Sequence, residues 1–302
     1  MSSYHTPVLL DESVSALSVG ENPDGVFVDA TFGGGGHSSE ILRRMGKNGH
    51  LLAFDRDMDA QSNIQKDNRL IFIHNNFRFV SNFVKYHGFE KADGILADLG
   101  VSSHQFDTSE RGFSFRFDAK LDMRMNTANG KSAADVLNTC SQEELSAIFK
   151  NWGEVDNPRK VAALICEYRV NNKIETTVEL NNALERVIPK HSEHKYLAKI
   201  YQALRIEVNG EMRSLEMFLI SAASILKSGG RLVIITYHSL EDRMVKNFIK
   251  SGNINGEISK DLYGNIEVPF INITRKPIVP DEDEISGNTR ARSAKLRVAQ
   301  KI

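Results

Sequence analysis

Residues 29–37, Asp-Ala-Thr-Phe-Gly-Gly-Gly-Gly-His, bring a carboxylate, four glycines and an imidazole into one short segment. An apolar run precedes the segment and apolar residues at helical spacing follow it, which predicts a strand, a loop and a helix. Glycines in such a loop let the backbone approach a ligand and leave amide N–H groups free. Asp55 ends the next apolar run, about 20 residues on, where an acid binds ribose hydroxyls in nucleoside-binding units. The pattern predicts a nucleoside site, with a tight turn as the alternative.

The glycine spacing bears on which nucleoside is bound. A dinucleotide fingerprint needs Gly-x-Gly-x-x-Gly, but counting from Gly33 or Gly34 places Ser38 or Ser39 at the sixth position. This favours a ligand without a diphosphate, such as S-adenosylmethionine, over a nicotinamide cofactor. His37 is as well explained by a bond to nearby backbone as by contact with a ligand.

Asp98 ends a fourth apolar run, at 94–97, and is followed by Leu-Gly-Val-Ser-Ser. Ligands of parallel sheets bind outside the carboxyl ends of the strands. We therefore expect substrate chemistry at Asp98; the alternative is a turn residue before Gly100.

The elements that position these residues follow from periodicity. Short apolar runs at 26–29, 51–55, 70–73 and 94–98 have polar ends and lie about 20 residues apart, which predicts a parallel α/β sheet. From about 131 to 206 the signals are helical, with capping boxes that begin at Ser132, Ser141 and Thr176 and a helix start at Asn157-Pro158. A helix is then expected to stop at Gly229-Gly230, and the strand pattern returns at 231–236. Ser239-Leu-Glu-Asp242 is expected to cap the next helix. The predicted domains are 1–105 with 208–302, and an inserted helical domain at 106–207.

Composition excludes several classes of protein. Of 302 residues, 41% are hydrophobic and 25% charged, which excludes fibrous, disordered and disulfide-scaffold chains. No apolar run approaches the ~20 residues of a membrane helix, and the N-terminus lacks the pattern of a secretory signal. Cys140 and Cys166 make no metal cluster. We expect a cytoplasmic protein without membrane or metal partners.

The net charge of -1 predicts no polyanionic partner for the whole chain. The last 13 residues nevertheless carry Arg and Lys without an acid. Such a tail can bind phosphate, although a solvated terminus is the commoner meaning.

The order of motifs along the chain identifies a family. The sequence closely resembles bacterial S-adenosylmethionine-dependent methyltransferases that modify the N4 amine of a cytosine in small-subunit ribosomal RNA. The motifs that carry the resemblance are His5-Thr-Pro-Val-Leu-Leu, the glycine segment at 29–37, Asp98-Leu-Gly-Val-Ser-Ser, Arg111-Gly-Phe-Ser-Phe, Leu121-Asp-Met-Arg-Met, Gln202-Ala-Leu-Arg-Ile, His238-Ser-Leu-Glu-Asp-Arg and Arg290-Ala-Arg-Ser-Ala-Lys-Leu-Arg. Thr236-Tyr-His-Ser stands where the family usually has Ser-Phe-His-Ser.

The resemblance implies a class I, Rossmann-like methyltransferase sheet interrupted by a helical substrate-recognition domain. S-adenosylmethionine is the implied cofactor and small-subunit ribosomal RNA, free or assembled, the implied partner. The cofactor contacts that it implies are Gly35, Gly36, His37, Asp55, Phe77, Asp98 and Gln105.

Methylation of an exocyclic amine needs no cysteine nucleophile, unlike methylation of a ring carbon. Asp98 is the first candidate to hold an N–H of the amine, with binding of the cofactor as its alternative role, and His238 is a second catalytic candidate. The residues expected to meet RNA are Arg111, Arg116, Arg124, Arg243, Arg290, Arg292 and Arg297. The alternatives are a nicotinamide-dependent dehydrogenase and a non-catalytic RNA-binding module in ribosome assembly.

Overall fold

The structure, a computed structural model, describes residues 7–101, 109–258 and 268–302. The chain divides into two compact units, Met1–Gly100 with Met212–Ile302 and Val101–Glu211. The segment predicted as an inserted domain, residues 106–207, falls within the second of these units. Within the described ranges no helix has the length and apolar character needed to cross a membrane.

The first unit is built on a sheet. Its strands are β1 (Val26–Asp29), β2 (His50–Asp55), β3 (Leu70–His74), β4 (Ala92–Asp98), β5 (Leu226–Thr236), β6 (Phe270–Asn272) and β7 (Lys295–Lys301). Its helices are α1 (Leu10–Ala16), α2 (Gly36–Arg44), α3 (Val80–Tyr86), α9 (Glu211–Ile225), α10 (Ser239–Ser251) and α11 (Glu282–Gly287).

The seven strands form one sheet in the order β3-β2-β1-β4-β5-β7-β6. Strands β1 to β5 run parallel to one another, whereas β7 runs antiparallel to both β5 and β6. The strand order reverses between β1 and β4, which is the point where open α/β sheets bind ligands. The predicted fold class, a Rossmann-like α/β sheet with an inserted helical domain, is confirmed.

Burial on both faces explains why the central strands are apolar throughout. Phe27, Leu51, Leu96 and Val233 lie in four different strands, and none is more than 1% exposed. Strands of parallel sheets are covered on both faces and so lack the alternation of half-exposed strands. The predicted strands are found, but Gly229-Gly230 lies within β5 rather than ending a helix, because α9 already ends at Ile225.

The C-terminal segment is a strand, not a solvated basic tail. Residues 295–301 form β7 between β5 and β6, and Leu296, Val298 and Ala299 are buried. The guanidinium of Arg297 forms hydrogen bonds of 2.7 and 3.1 Å with both carboxylate oxygens of Asp242 on α10. Arg297 therefore ties β7 to a helix, which corrects the expectation of a free phosphate-binding side chain.

The second unit is helical, with α4 (Ala133–Thr139), α5 (Gln142–Gly153), α6 (Pro158–Tyr168), α7 (Thr177–Leu184) and α8 (Glu193–Asn209). The predicted capping boxes at Ser132, Ser141 and Thr176 are all present, and Pro158 is the first residue of α6. A separate apolar core includes Phe149 and Val161, both with no exposed surface. Local capping signals and a core of its own define this unit.

We expect Arg297→Met to lower the free energy of unfolding by roughly 1.5–3 kcal/mol, because the side chain of Asp242 would lose two charge-assisted hydrogen bonds. Chemical denaturation measures the loss. The matched control is Lys295→Met, since Lys295 is 44% exposed and lies 3.6 Å from the same carboxylate, so its loss should cost less than about 1 kcal/mol. Equal effects of the two substitutions would contradict a structural role specific to Arg297.

Candidate active site

Three carboxylates lie at the carboxyl ends of three adjacent strands of the first unit. Asp55 ends β2, Asp29 ends β1 and Asp98 ends β4. The strand register pairs Asp29 with Ala53 of β2 and with Leu96 of β4, so the three acids follow one another along this edge of the sheet. They flank the point where strand order reverses.

Asp55 holds the glycine loop against the end of β2. Its Oδ2 accepts a 2.7 Å hydrogen bond from the Gly33 N–H, and its Oδ1 accepts one of 2.8 Å from the Asp57 N–H. Burial raises the pKa of Asp55 to about 6, against the opposing effect of these two backbone donors. Each oxygen keeps a further lone pair, so the carboxylate can still accept from hydroxyl groups of a ribose.

The protein's own packing already requires glycine at two positions where the loop enters α2. Gly35, the residue before α2, has a φ of +77°, and a side chain there would meet the ring of Phe32. A side chain at Gly36 would overlap Pro7. Contact of these two glycines with a cofactor stays a prediction.

His37 is buried at the start of α2 and bonds to backbone far away in the sequence. Its Nε2 lies 3.2 Å from the carbonyl oxygen of Val8, and its Nδ1 lies 3.9 Å from Oδ2 of Asp98. Burial lowers the pKa of the imidazole. We infer from the carbonyl partner that the neutral ring carries its proton on Nε2 and donates it to Val8. His37 thus fixes the N-terminal segment beside Asp98.

Two hydrogen bonds hold Asp98 in place. Its backbone N–H donates to Oγ1 of Thr31 at 2.7 Å, and its Oδ1 accepts a 2.8 Å hydrogen bond from the hydroxyl of Tyr237. The side chain keeps 22% of its surface exposed. Burial raises the pKa of Asp98 to about 6, while His37 and Tyr237 act in the opposite direction. Asp98 is therefore a carboxylate near neutral pH that can still take up a proton.

Asp29 and Tyr237 were not among the predicted site residues. Asp29 has no exposed surface, and its oxygens accept from the Ser38 hydroxyl at 2.6 Å and the Thr31 N–H at 3.0 Å. Burial raises the pKa of Asp29. Asp29 is the first residue of the glycine segment at 29–37, and this position could have identified it as a site residue from the sequence. No sequence signal connects Tyr237 with Asp98, which lies 139 positions away.

Phe77 begins a short 3-10 helix after β3 and is half-buried. Its ring contacts Phe218 edge-on, with ring centres 5.1 Å apart. The predicted stacking of Phe77 on adenine stays a prediction, as does the cofactor contact of Gln105, which lies outside the described residues.

His238, a predicted catalytic residue, caps α10. The Glu241 N–H donates to Nδ1 of His238 at 3.4 Å, and the carboxylate of Glu241 accepts in return from the N–H of His238. The helix start is thus one residue earlier than the predicted Ser239-Leu-Glu-Asp242 cap, because the imidazole nitrogen serves as the capping acceptor. The imidazole is 8% exposed. A catalytic role of His238 stays a prediction.

The predicted RNA-binding residues fall into two groups. Arg116, Arg243, Arg290 and Arg292 are exposed. The other three are less exposed: Arg111 donates to the carbonyls of Arg124 and Met125, Arg124 pairs with Asp122, and Arg297 pairs with Asp242. Exposure makes the first group better suited to bind phosphate.

Known proteins resemble this chain over nearly its whole length. The Ribosomal RNA small subunit methyltransferase H of Bacteroides fragilis is 56% identical over 299 residues, which cover 99% of this chain and 98% of the relative. The protein of that name from Flavobacterium johnsoniae is 54% identical with the same coverage. A solved rRNA methylase from Streptococcus thermophilus aligns with 96% of this chain and 95% of its own at 13% identity, with a TM-score of 0.40, which is too remote to carry an argument. The model of the MraW methylase family matches residues 2–302, and the chain therefore belongs to that family.

Proposed function

We propose that this chain transfers a methyl group from S-adenosylmethionine to the exocyclic N4 amine of a cytosine in small-subunit ribosomal RNA. The observation that carries the proposal is the half-buried carboxylate of Asp98 at the switch point of the sheet, in a chain that belongs to a methylase family. The names of the relatives support ribosomal RNA as the substrate. Neither a nicotinamide-dependent dehydrogenase nor a non-catalytic assembly module is supported by these relatives.

The donors and acceptors at the sheet edge fit the implied cofactor. Asp55 offers lone pairs to ribose hydroxyls, and Asp98 offers a negative charge in a poorly solvated place, where it interacts strongly with a cation. The cofactor supplies a methyl group on a positively charged sulfur, which makes that methyl group electrophilic. Binding and orientation of the two reactants are then the main tasks left to the protein.

Asp98 is suited to assist the amine. The lone pair of a cytosine amine is delocalised into the ring, so an acceptor that holds one N–H favours the pyramidal geometry needed for attack. When the N–C bond forms and the C–S bond breaks, the nitrogen must lose a proton. A carboxylate whose pKa is about 6 can accept that proton at neutral pH.

The helical unit and the exposed arginines of both units are proposed to bind RNA. The phosphate contacts that arginines make fix the position of RNA without reading its sequence. The target base must leave its stack to reach Asp98, as in other enzymes that act on a base. Ribosomal RNA as substrate places the protein in the cytoplasm.

We expect Asp55→Ala to weaken binding of S-adenosylmethionine about ten- to hundredfold, since a hydrogen bond to a charged group contributes roughly 1.5–3 kcal/mol. Isothermal titration calorimetry measures the affinity. The control variant, Asp59→Ala, removes an exposed carboxylate from the segment that joins β2 to β3. It should leave the affinity unchanged. An unchanged affinity of Asp55→Ala would remove Asp55 from the cofactor site.

We expect Asp98→Asn to slow methyl transfer by ~10²–10⁴, because the amide cannot accept the proton and carries no charge. The measurement is single-turnover transfer to ribosomal RNA at saturating concentrations of both reactants. A wild-type rate would show that Asp98 is a turn residue only.

The same variant has a distinct effect on stability. The pKa of Asp98 is raised from 3.8 to about 6 in the folded chain, so the folded state binds the proton more tightly than the unfolded state. The contribution of this proton to stability is therefore fully present below pH 3.8 and is lost as pH rises through about 6. Since Asn does not titrate, thermal melts from about pH 4 to pH 8 should show a smaller loss in Asp98→Asn than in the wild type. A larger loss would contradict the raised pKa.

We expect Arg116→Ala and Arg292→Ala each to weaken binding of a ribosomal RNA fragment and to reduce the slope of log K against log salt concentration by about 1. Fluorescence anisotropy over a salt series measures both quantities. Arg186→Ala, the control, removes an arginine that is also exposed, pairs with Glu167 and lies outside the predicted set. An unchanged salt slope in both variants would remove Arg116 and Arg292 from the RNA interface.

A further inference from the structure

The hydroxyl of Tyr237 contacts the carboxylate proposed to act on the amine. Tyr237 follows directly after β5, and its hydroxyl donates to Oδ1 of Asp98 at 2.8 Å. In the ladder between β4 and β5, Asp98 pairs with Ile235. Tyr237 thus stands two residues past the register partner of Asp98, at the same edge of the sheet.

Two further contacts fix the tyrosine. Its backbone N–H donates to Oε2 of Glu241 at 2.9 Å, within the cap that begins α10. Its ring packs beside Gly100, where a side chain would lie 3.3 Å from Cδ2 of the ring. Gly100 also has a φ of +107°, a conformation that favours glycine. These contacts hold the backbone and the ring of Tyr237 at the edge of the sheet.

The contact makes the two oxygens of Asp98 different. Oδ1 accepts from Tyr237, whereas Oδ2 lies 3.9 Å from Nδ1 of His37. The neutral His37 ring donates to Val8 through its other nitrogen. In the described part of the chain, Tyr237 is the donor within hydrogen-bond distance of this carboxylate. Oδ2 keeps its lone pairs for a ligand.

We propose that Tyr237 is a positioning residue whose hydroxyl keeps Asp98 ionised and turned so that Oδ2 meets the reacting amine. The proposal rests on the proposed function, because it assigns Asp98 to the amine. The phenol acts through Asp98 and takes no proton itself. A phenylalanine at this position would keep the ring packing and lose the hydrogen bond.

The charged groups around Asp98 determine the direction of the expected change. Burial and the nearby carboxylates of Asp29 and Glu241 raise its pKa, whereas His37 and the Tyr237 hydroxyl lower it. Without the hydroxyl, Asp98 loses the hydrogen bond that lowers its pKa, and the neutral His37 ring carries no charge that could replace it. The pKa of Asp98 must then rise above its value in the wild type.

The test compares Tyr237→Phe with the wild type in two measurements. The first is a ¹³C NMR titration of the aspartate carboxyl groups in the ligand-free protein, with Asp98→Asn identifying the resonance. The second is the pH profile of kcat/KM, which reports ionisations of the free enzyme. We expect the pKa of Asp98 and the acidic limb of the profile to move upward together by about one pH unit. The rate should fall about tenfold on the acidic limb and approach the wild-type rate at about pH 9.

Tyr196→Phe is the matched control, because the hydroxyl of Tyr196 in the helical unit also donates a short hydrogen bond, of 2.7 Å, to Asn157. It should leave both measurements unchanged. An unmoved Asp98 resonance in Tyr237→Phe overturns the proposal, including when the rate falls equally at all pH values. A shifted resonance without a shifted rate profile supports the role of Tyr237 in Asp98 ionisation and instead overturns the role of Asp98 in transfer.

Discussion

Burial of carboxylates at the carboxyl edge of the sheet is the constraint on which the site depends. Unpaired buried charges are costly, so each acid must find donors. Asp29 finds a serine hydroxyl and an amide, Asp55 finds two amides and Asp98 finds the phenol of Tyr237. These donors belong to the loops that follow the strands and to helix α2. The hydrogen bonds to the three carboxylates therefore hold the loops in place. Burial still raises the pKa of Asp55 and of Asp98, so their ionised forms lower the stability of the folded chain near neutral pH.

The glycine segment shows how packing and function overlap. Glycines predicted to admit a ligand are already needed beside Phe32 and Pro7. The loop is folded back on β2 by the amide of Gly33, and the N-terminal segment is fixed by His37 through Val8. The edge of the sheet is thus preorganised by the chain's own contacts, so that little has to rearrange when a ligand binds.

The C-terminal strand explains why basic composition was a poor guide to function. Residues 295–298 alternate between polar and buried apolar side chains, the period of a half-buried strand. In the folded chain Arg297 forms an ion pair with Asp242 in the first turn of α10. Arg292, just before the strand, remains exposed. Neighbouring residues of one charge therefore have different roles.

The sequence alone determined the elements whose signals lie within a few residues. Apolar runs with polar ends predicted the parallel strands, Ser132, Ser141 and Thr176 predicted their capping boxes, and the ends of the strands predicted Asp55 and Asp98. Tertiary structure decided the partners: the hydroxyl of Tyr237 on Asp98, 139 positions away, and the carboxylate of Asp242 on Arg297, 55 positions away. It also moved the cap of α10 to His238. Local patterns record which backbone conformation is favoured, but a hydrogen bond between distant side chains depends on the strand order and register that bring them together.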